Sequence, residues 1–277
     1  MRKILLPTDF SANSMNAIDY ALHFFKNWEC DFYILNVQKM SSYISDDLVS
    51  GSKSDSVFDS IATDNKRAIN DLVLKLKKDY ESESYAFHGL FDYDDIVSAV
   101  NEAVQFHAID LIVMGTNGAT GAEETLFGSN TLKVIRNSKC PTLTVPEHYT
   151  FTNIKSVLFS TQNCEDFSVE GIKAFNEMLD MHQPELNVLE LDDDAIIMSK
   201  KEDNQCLKEL FPNREYTYYC LNTIPGLVAV NTATQLLKVD LHAVFIEKET
   251  FLDRLLFGSN TSKLVYRTLI PLLFLHR

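Results

Sequence analysis

A chain of 277 residues, 45% hydrophobic and 23% charged, is long enough for two globular domains of ordinary size. Its formal net charge of −14 argues against nucleic acid or an anionic membrane surface as the main partner, since both are recognised by positive patches. No apolar run reaches the roughly 20 residues that cross a bilayer. Met1-Arg2-Lys3 gives way to Pro7-Thr8-Asp9 rather than to a secretory core, and the 5 cysteines (Cys30, Cys140, Cys164, Cys206, Cys220) lack paired spacing. Reduced thiols in a cytoplasmic protein are expected.

Taken in order, Ile4-Leu5-Leu6 ahead of Pro7 predicts a buried strand. Ser11 or Ser14 can cap the following helix, whose apolar face carries Ile18, Ala21, Leu22 and Phe25 at helical spacing. Phe32 to Val37 reads as a second strand. The Ser- and Asp-rich stretch from Met40 to Ser60 is expected at the surface, either as a lid or as an insertion without a role. A long helix striped with Ile69, Leu72, Val73 and Leu76 comes next, then a third strand over Tyr85–Leu90. A helix carrying Ile96, Val100, Ala103 and Val104 leads to a strand over Ile109–Val113. One more helix precedes a strand over Pro141–Val145. Strands alternating with helices predict a parallel sheet covered on both faces, with right-handed crossovers.

The informative connection is the loop from Met114 to Thr131, with the spacing Gly115-x2-Gly118-x9-Gly128-Ser129. Glycines let backbone N–H groups approach an anion closely, and a helix N-terminus adds a favourable dipole. The spacing is neither the dinucleotide fingerprint nor a Walker loop. On spacing alone, an ordinary connection with Ser129, Asn130 and Thr131 as helix caps accounts for it equally well. In doubly wound sheets, ligands bind beyond the carboxyl ends of strands at the point where strand order reverses. Asp9 and Gly115 both lie just past strand ends, so one crevice is expected to hold both.

From residue 154 the same programme begins again. Ser156-Val157-Leu158-Phe159-Ser160-Thr161 echoes Lys3 to Thr8, with strands expected over Leu186–Leu191 and Tyr216–Cys220 and a helix over Val228–Leu237. Leu255-Leu256-Phe257-Gly258-Ser259-Asn260-Thr261 repeats Thr125-Leu126-Phe127-Gly128-Ser129-Asn130-Thr131 almost letter for letter. The closing run Ile270–Leu275 matches Pro141–Val145. A tandem duplication is expected, with domains at 1–149 and 150–277. Matching the copies sets Phe245 opposite Gly115, Lys248 opposite Gly118, Gln162 opposite Asp9 and Ser160 opposite Pro7. If the loop glycines need positive φ, the second copy has lost the means to bind the same ligand.

Two segments resemble ATP-binding members of the universal stress protein family. They are Asp110-Leu111-Ile112-Val113-Met114-Gly115 with its glycine spacing, and Lys3-Ile4-Leu5-Leu6-Pro7-Thr8-Asp9-Phe10-Ser11. The resemblance implies an α/β fold of two doubly wound, Rossmann-like domains of the adenine nucleotide alpha hydrolase type, paired through their last strands as an internal pseudo-dimer. It implies ATP with Mg2+ in the first domain. Asp9 would contact the ribose or adenine end, with Pro7 and Thr8 shaping that turn, and Val37 would present backbone groups to adenine. Met114, Gly115, Asn117 and Gly118 would line the ribose and first phosphates. Gly128, Ser129, Asn130 and Thr131 would hold the outer phosphates.

The loop contains Glu123 and Glu124 but no lysine or arginine, and no group placed to orient a nucleophile, so little or no hydrolysis is expected, slow ATPase activity at most. Acidic clusters at Asp92–Asp95 and Asp192–Asp194 read as caps and solvated faces. No histidine pair has metal-ligand spacing and no Gly-x-Ser-x-Gly occurs, so neither a metal site nor a catalytic residue is expected. The expected role is stress response or signalling through a nucleotide-dependent shape seen by an unknown protein partner. A nucleotide-independent interaction protein of the same fold is the alternative, and the tandem chain can pair further as a homodimer.

Overall fold

A computed structural model describes residues 1–38, 54–93, 95–116, 127–161, 171–192, 205–222, 226–246 and 270–276. By their contacts the chain divides into two compact units, Met1–Ala122 with Phe127–Cys140, and Glu123–Leu126 with Pro141–Arg277.

In the first unit, strands β1 (Arg2–Pro7), β2 (Cys30–Val37), β3 (Tyr85–Asp92) and β4 (Leu111–Gly115) lie in the order β3-β2-β1-β4, all parallel. Ile4, Leu5 and Leu6 are each 0% exposed, which explains why β1 reads as a continuous apolar run rather than an alternating one. Among the described residues four helices join the strands: α1 (Ala12–Phe24), α2 (Ser54–Asp79), α3 (Ile96–His107) and α4 (Ser129–Asn137). Ser11 rather than Ser14 is the N-cap of α1, its hydroxyl accepting the Ser14 N–H. The Asp95 carboxylate caps α3 through the N–H groups of Val97 and Ser98. One sheet face, with Leu5, Tyr33, Leu35, Ile112 and Met114, packs under Ala99, Val100 and Ala103 of α3 and Val134 of α4. On β3 the helix α2 comes so close that a Cβ on Gly89 would sit 2.5 Å from the Ile69 side chain.

The second unit contains β5 (Thr142–Val145), β6 (Ser156–Thr161), β7 (Glu185–Asp192), β8 (Tyr216–Asn222), β9 (Leu241–Ile246) and β10 (Leu272–His276). Their order is β5-β10-β9-β6-β7-β8. All neighbours are parallel except β5, which runs antiparallel to β10 with Leu272 opposite Thr144, Leu273 opposite Leu143 and Phe274 opposite Thr142. The two closing runs of the sequence therefore meet each other. Helices α5 (Lys173–His182), α6 (Gln205–Leu210) and α7 (Gly226–Leu236) complete the described elements. The sequence reading named neither α5 nor α6. Both are short, and their signal is aromatic: the Phe159 ring stacks on Phe175 of α5 and meets Phe211 just beyond α6 edge-on.

The two units use the same joinery. The Asp110 carboxylate accepts the Lys3 N–H while the Asp110 N–H donates to the Lys3 carbonyl, and Asp240 makes the same pair of bonds with Ser156. Each acid follows a left-handed residue past the preceding helix, Ala108 (φ 53) and Lys238 (φ 47). The sheet registers also agree, Leu5 opposite Ile112 in one unit and Leu158 opposite His242 in the other. None of the described helices is long and apolar enough to cross a membrane.

Candidate functional site

In the first unit β1 has β2 on one side and β4 on the other, so strand order reverses between β1 and β4. The seam beyond their carboxyl ends is where such sheets leave room for a ligand. On the β1 side, Pro7 is buried opposite Leu35, and the Thr8 N–H donates to the Leu35 carbonyl at 2.8 Å. Asn36 Nδ2 holds the Thr8 carbonyl at 2.7 Å, while the Thr8 and Ser14 hydroxyls pair at 2.9 Å. This turn is thus fixed by β2 on one side and by α1 on the other. Asp9 is exposed, with Oδ1 accepting the Ser11 N–H at 3.0 Å. Its neighbour Phe10 adopts a left-handed backbone with φ 61, its N–H donating to Thr8 Oγ1 at 3.0 Å. Val37, half-buried, is the last residue of β2.

On the β4 side, Met114 is buried and Gly115 ends the strand. A Cβ on Gly115 would lie 2.8 Å from both Cγ and Nδ2 of Asn13, itself buried in α1. The Gly128 N–H closes the loop onto the Thr116 carbonyl at 2.7 Å. Gly128 is the N-cap of α4, with φ −62 and no side-chain cap, and the Leu132 N–H makes the first bond back to it. The N–H groups of Ser129, Asn130 and Thr131 therefore form the first turn, which a helix leaves without internal acceptors. Ser129 and Asn130 are exposed, whereas the buried Thr131 hydroxyl donates to the Gly115 carbonyl at 2.9 Å. Thr131 offers its backbone to the seam and spends its side chain tying α4 to β4. Asn117 and Gly118 lie outside the described residues.

Two corrections follow. The condition that the loop glycines need positive φ is not met at Gly128, whose φ is −62, nor at Gly115, where the approach of Asn13 leaves no room for a Cβ. The cap reading of Ser129 to Thr131 also fails, because the cap is Gly128 and none of the three side chains serves it. The sequence reading gave no role to Asn13 or Asn36, offered Ser14 only as a cap and held Thr116 only as part of the loop; all four are buried polar residues around the seam. Their signal was a polar side chain interrupting an apolar run, as Asn36 does within Phe32–Val37.

The described segments 8–14, 36–38, 114–116 and 127–131 contain one acid, Asp9, and no lysine or arginine. Among the described residues no cluster of His, Cys, Asp or Glu could hold a metal ion. The donors are neutral N–H and hydroxyl groups at a helix start, with one carboxylate across the seam. That set fits an elongated ligand, anionic at one end and bearing hydroxyl or amino donors at the other. It supplies no positive charge of its own.

In the second unit other residues take these positions. Phe245 stands where Gly115 does and is 2% exposed. Ser160, at the position of Pro7, pairs with His242 Nε2 at 2.7 Å, and His242 takes the position of Ile112. That histidine is fully buried, and burial lowers its pKa to about 3. Gln162 and Lys248 lie outside the described residues.

A parallel α/β unit with its seam at the β1–β4 reversal defines the class, and comparison gives the family. A model of the universal stress protein family matches residues 1–146. The universal stress protein MJ0531 of Methanocaldococcus jannaschii is 32% identical over 149 residues, 52% of this chain and 81% of that protein. The chain belongs to the universal stress protein family. A universal stress protein from Archaeoglobus fulgidus follows 99% of this chain and 96% of its own with a TM-score of 0.69 at 18% identity. A functionally unknown protein, PA1789, from Pseudomonas aeruginosa covers 100% of this chain and 92% of its own with a TM-score of 0.61 at 14% identity. Both share the fold across the two units.

Proposed function

We propose that the first unit binds ATP with Mg2+ and that the chain is a cytoplasmic sensor, acting in stress response or signalling through nucleotide-dependent conformation. The observation that carries this reading is the seam, which sets the Asp9 carboxylate past β1 and the open first turn of α4 past neighbouring β4. The N–H groups of Ser129, Asn130 and Thr131 would receive phosphate oxygens. Asp9, Val37 and the backbone around Gly115 would serve the ribose and base, and Asn117 and Gly118 would extend the phosphate cradle. With no lysine or arginine among the described seam residues, the metal ion supplies the countercharge, and slow turnover at most is expected.

The second unit, with Phe245 in place of Gly115, is read as a tandem copy that has given up the site and kept the scaffold. The chain is read as an internal pseudo-dimer whose partner is a protein recognising one nucleotide state. Calorimetry of nucleotide-stripped protein with Mg-ATP tests this. Micromolar affinity at one site per chain is expected, weakened at least tenfold by Asp9→Ala and abolished by Gly118→Val, with circular dichroism unchanged. Two sites would restore the second unit as a binder. No heat with any adenine nucleotide would leave the nucleotide-independent interaction protein.

A further inference from the structure

A parallel ladder ends bond by bond, and at the end of β1 a side chain takes the place of a rung. The Thr8 N–H donates to the Leu35 carbonyl, and the Gln38 N–H donates to the Asp92 carbonyl. The backbone of Leu35 and Val37 therefore faces β1, and that of Gln38 faces β3. The next rung toward β1 would run from the Val37 N–H to the Thr8 carbonyl. It is not made among the described residues, and pairing ends with Pro7 opposite Leu35. Asn36 Nδ2 takes the Thr8 carbonyl instead, at 2.7 Å. The rung after that would bring the Phe10 N–H to the Val37 carbonyl, but this N–H donates to Thr8 Oγ1 at 3.0 Å.

Asn36 is 1% exposed, and its partners fix which way its amide points. A carbonyl only accepts, so the NH2 group must face Thr8, and Oδ1 receives Gln38 Nε2 at 3.3 Å. The second unit shows the same strand end without the amide. With Ser160 at the position of Pro7, Glu190 falls at that of Asn36. A carboxylate has no N–H to give a carbonyl, and Glu190 accepts the Tyr218 hydroxyl at 2.7 Å. There β6 and β7 stay paired one residue further, with Thr161 opposite Glu190.

We infer that Asn36 is a positioning residue of the base subsite: standing in for the Val37 N–H at the Thr8 carbonyl, it ends the β1–β2 ladder early and leaves the Val37 N–H and carbonyl for a 6-aminopurine. This rests on the nucleotide reading above, which gives the Val37 backbone to the base. An adjacent donor and acceptor match the N1 acceptor and the 6-amino donor of adenine. With the triphosphate held at α4, hypoxanthine presents an N1–H and a 6-oxo group, the reverse pattern, and both backbone groups stay unpaired.

Asn36→Leu and Asn36→Ala remove the donor, one keeping the volume and one not. Wild type and variants are titrated with Mg-ATP, Mg-ITP and Mg-tripolyphosphate, and the Val37 amide is followed by hydrogen exchange. In the wild type this amide is expected to exchange freely, to be protected by Mg-ATP but not by tripolyphosphate, and ATP to be preferred over ITP by about tenfold or more. In the variants the Val37 N–H closes onto Thr8. Its exchange without ligand slows by about tenfold or more, Mg-ATP binds about tenfold more weakly, and the preference over ITP is lost, while tripolyphosphate binding holds. Slower exchange is the opposite of what mere loosening of the strand would give. A Val37 amide already protected in the ligand-free wild type, unchanged or faster exchange in both variants, or an ATP preference that survives in both overturns the inference. A wild type that binds all three ligands alike overturns it too, yet leaves the phosphate cradle standing. A wild type that binds none of the three overturns the nucleotide reading itself.

Discussion

The seam depends on one contact a fraction of an ångström wide. Gly115 ends β4 against Asn13, and an added Cβ would meet the Asn13 side chain at 2.8 Å, closer than real Cβ atoms come. Because Asn13 is buried in α1, it has little room to yield. Gly115→Ala should therefore cost about 1–3 kcal/mol through overpacking, read as a lower urea midpoint. Shortening Asn13 to alanine removes the atoms in the way. The double variant Asn13→Ala, Gly115→Ala should then lie above the sum of the singles by about 1 kcal/mol. Strict additivity would mean that the helix slides aside and the glycine is there for another reason. The sequence singled out Gly115 and set it, like Asp9, just past a strand end. It did not show why a glycine is needed there, because the neighbour responsible is an asparagine on a helix a hundred residues earlier, and helical spacing marks apolar faces, not the polar residue tucked among them.

At the scale of elements, parallel strands and long helices were legible because each buries a continuous run or a clean stripe. The short α5 and α6 were not, since two or three turns give too few repeats of the period to stand out. The closing strands were legible only as a matched pair. Their antiparallel register, with Leu143 opposite Leu273, decides what they do. Both leucines are buried, at 1% and 3% exposure, and a sheet edge left there would expose unpaired backbone. Leu143→Ala should cost about 2–5 kcal/mol. Hydrogen exchange should locate the loss at Leu272–Phe274, speeding those amides by roughly 30-fold or more if about 2 kcal/mol of local opening energy is removed. Unchanged exchange along β10 would show that β5 adds no stability there.

For the molecule as a whole, the two units differ in how they meet acid. Burial lowers the pKa of His182 to about 4, of His242 to about 3 and of His276 to about 4, and all three belong to the second unit. In the first unit, among the described residues, only the near-surface His107 moves the same way, through desolvation with His88 and Lys3 adding to it. Below pH 6.5 the unfolded chain takes up protons that the folded second unit refuses, so its stability falls as pH falls and stops falling near the folded pKa. His242 alone should cost about 2 kcal/mol between pH 6.5 and pH 5, at about 1.4 kcal/mol per pH unit. His182 and His276 add to this with the same sign, reduced by their partial solvation. The first unit shows what an apolar solution looks like, with Ile112 and Pro7 where the second has His242 and Ser160. Replacing the buried pair by His242→Ile with Ser160→Ala removes both polar partners at once, avoiding a lone buried hydroxyl. Thermal melts between pH 5 and pH 7.5 should show a steep acid loss in the wild type and a shallower one in the double variant. Equal slopes would mean that His242 reaches water before the unit unfolds, and that its place in β9 is open to exchange rather than sealed.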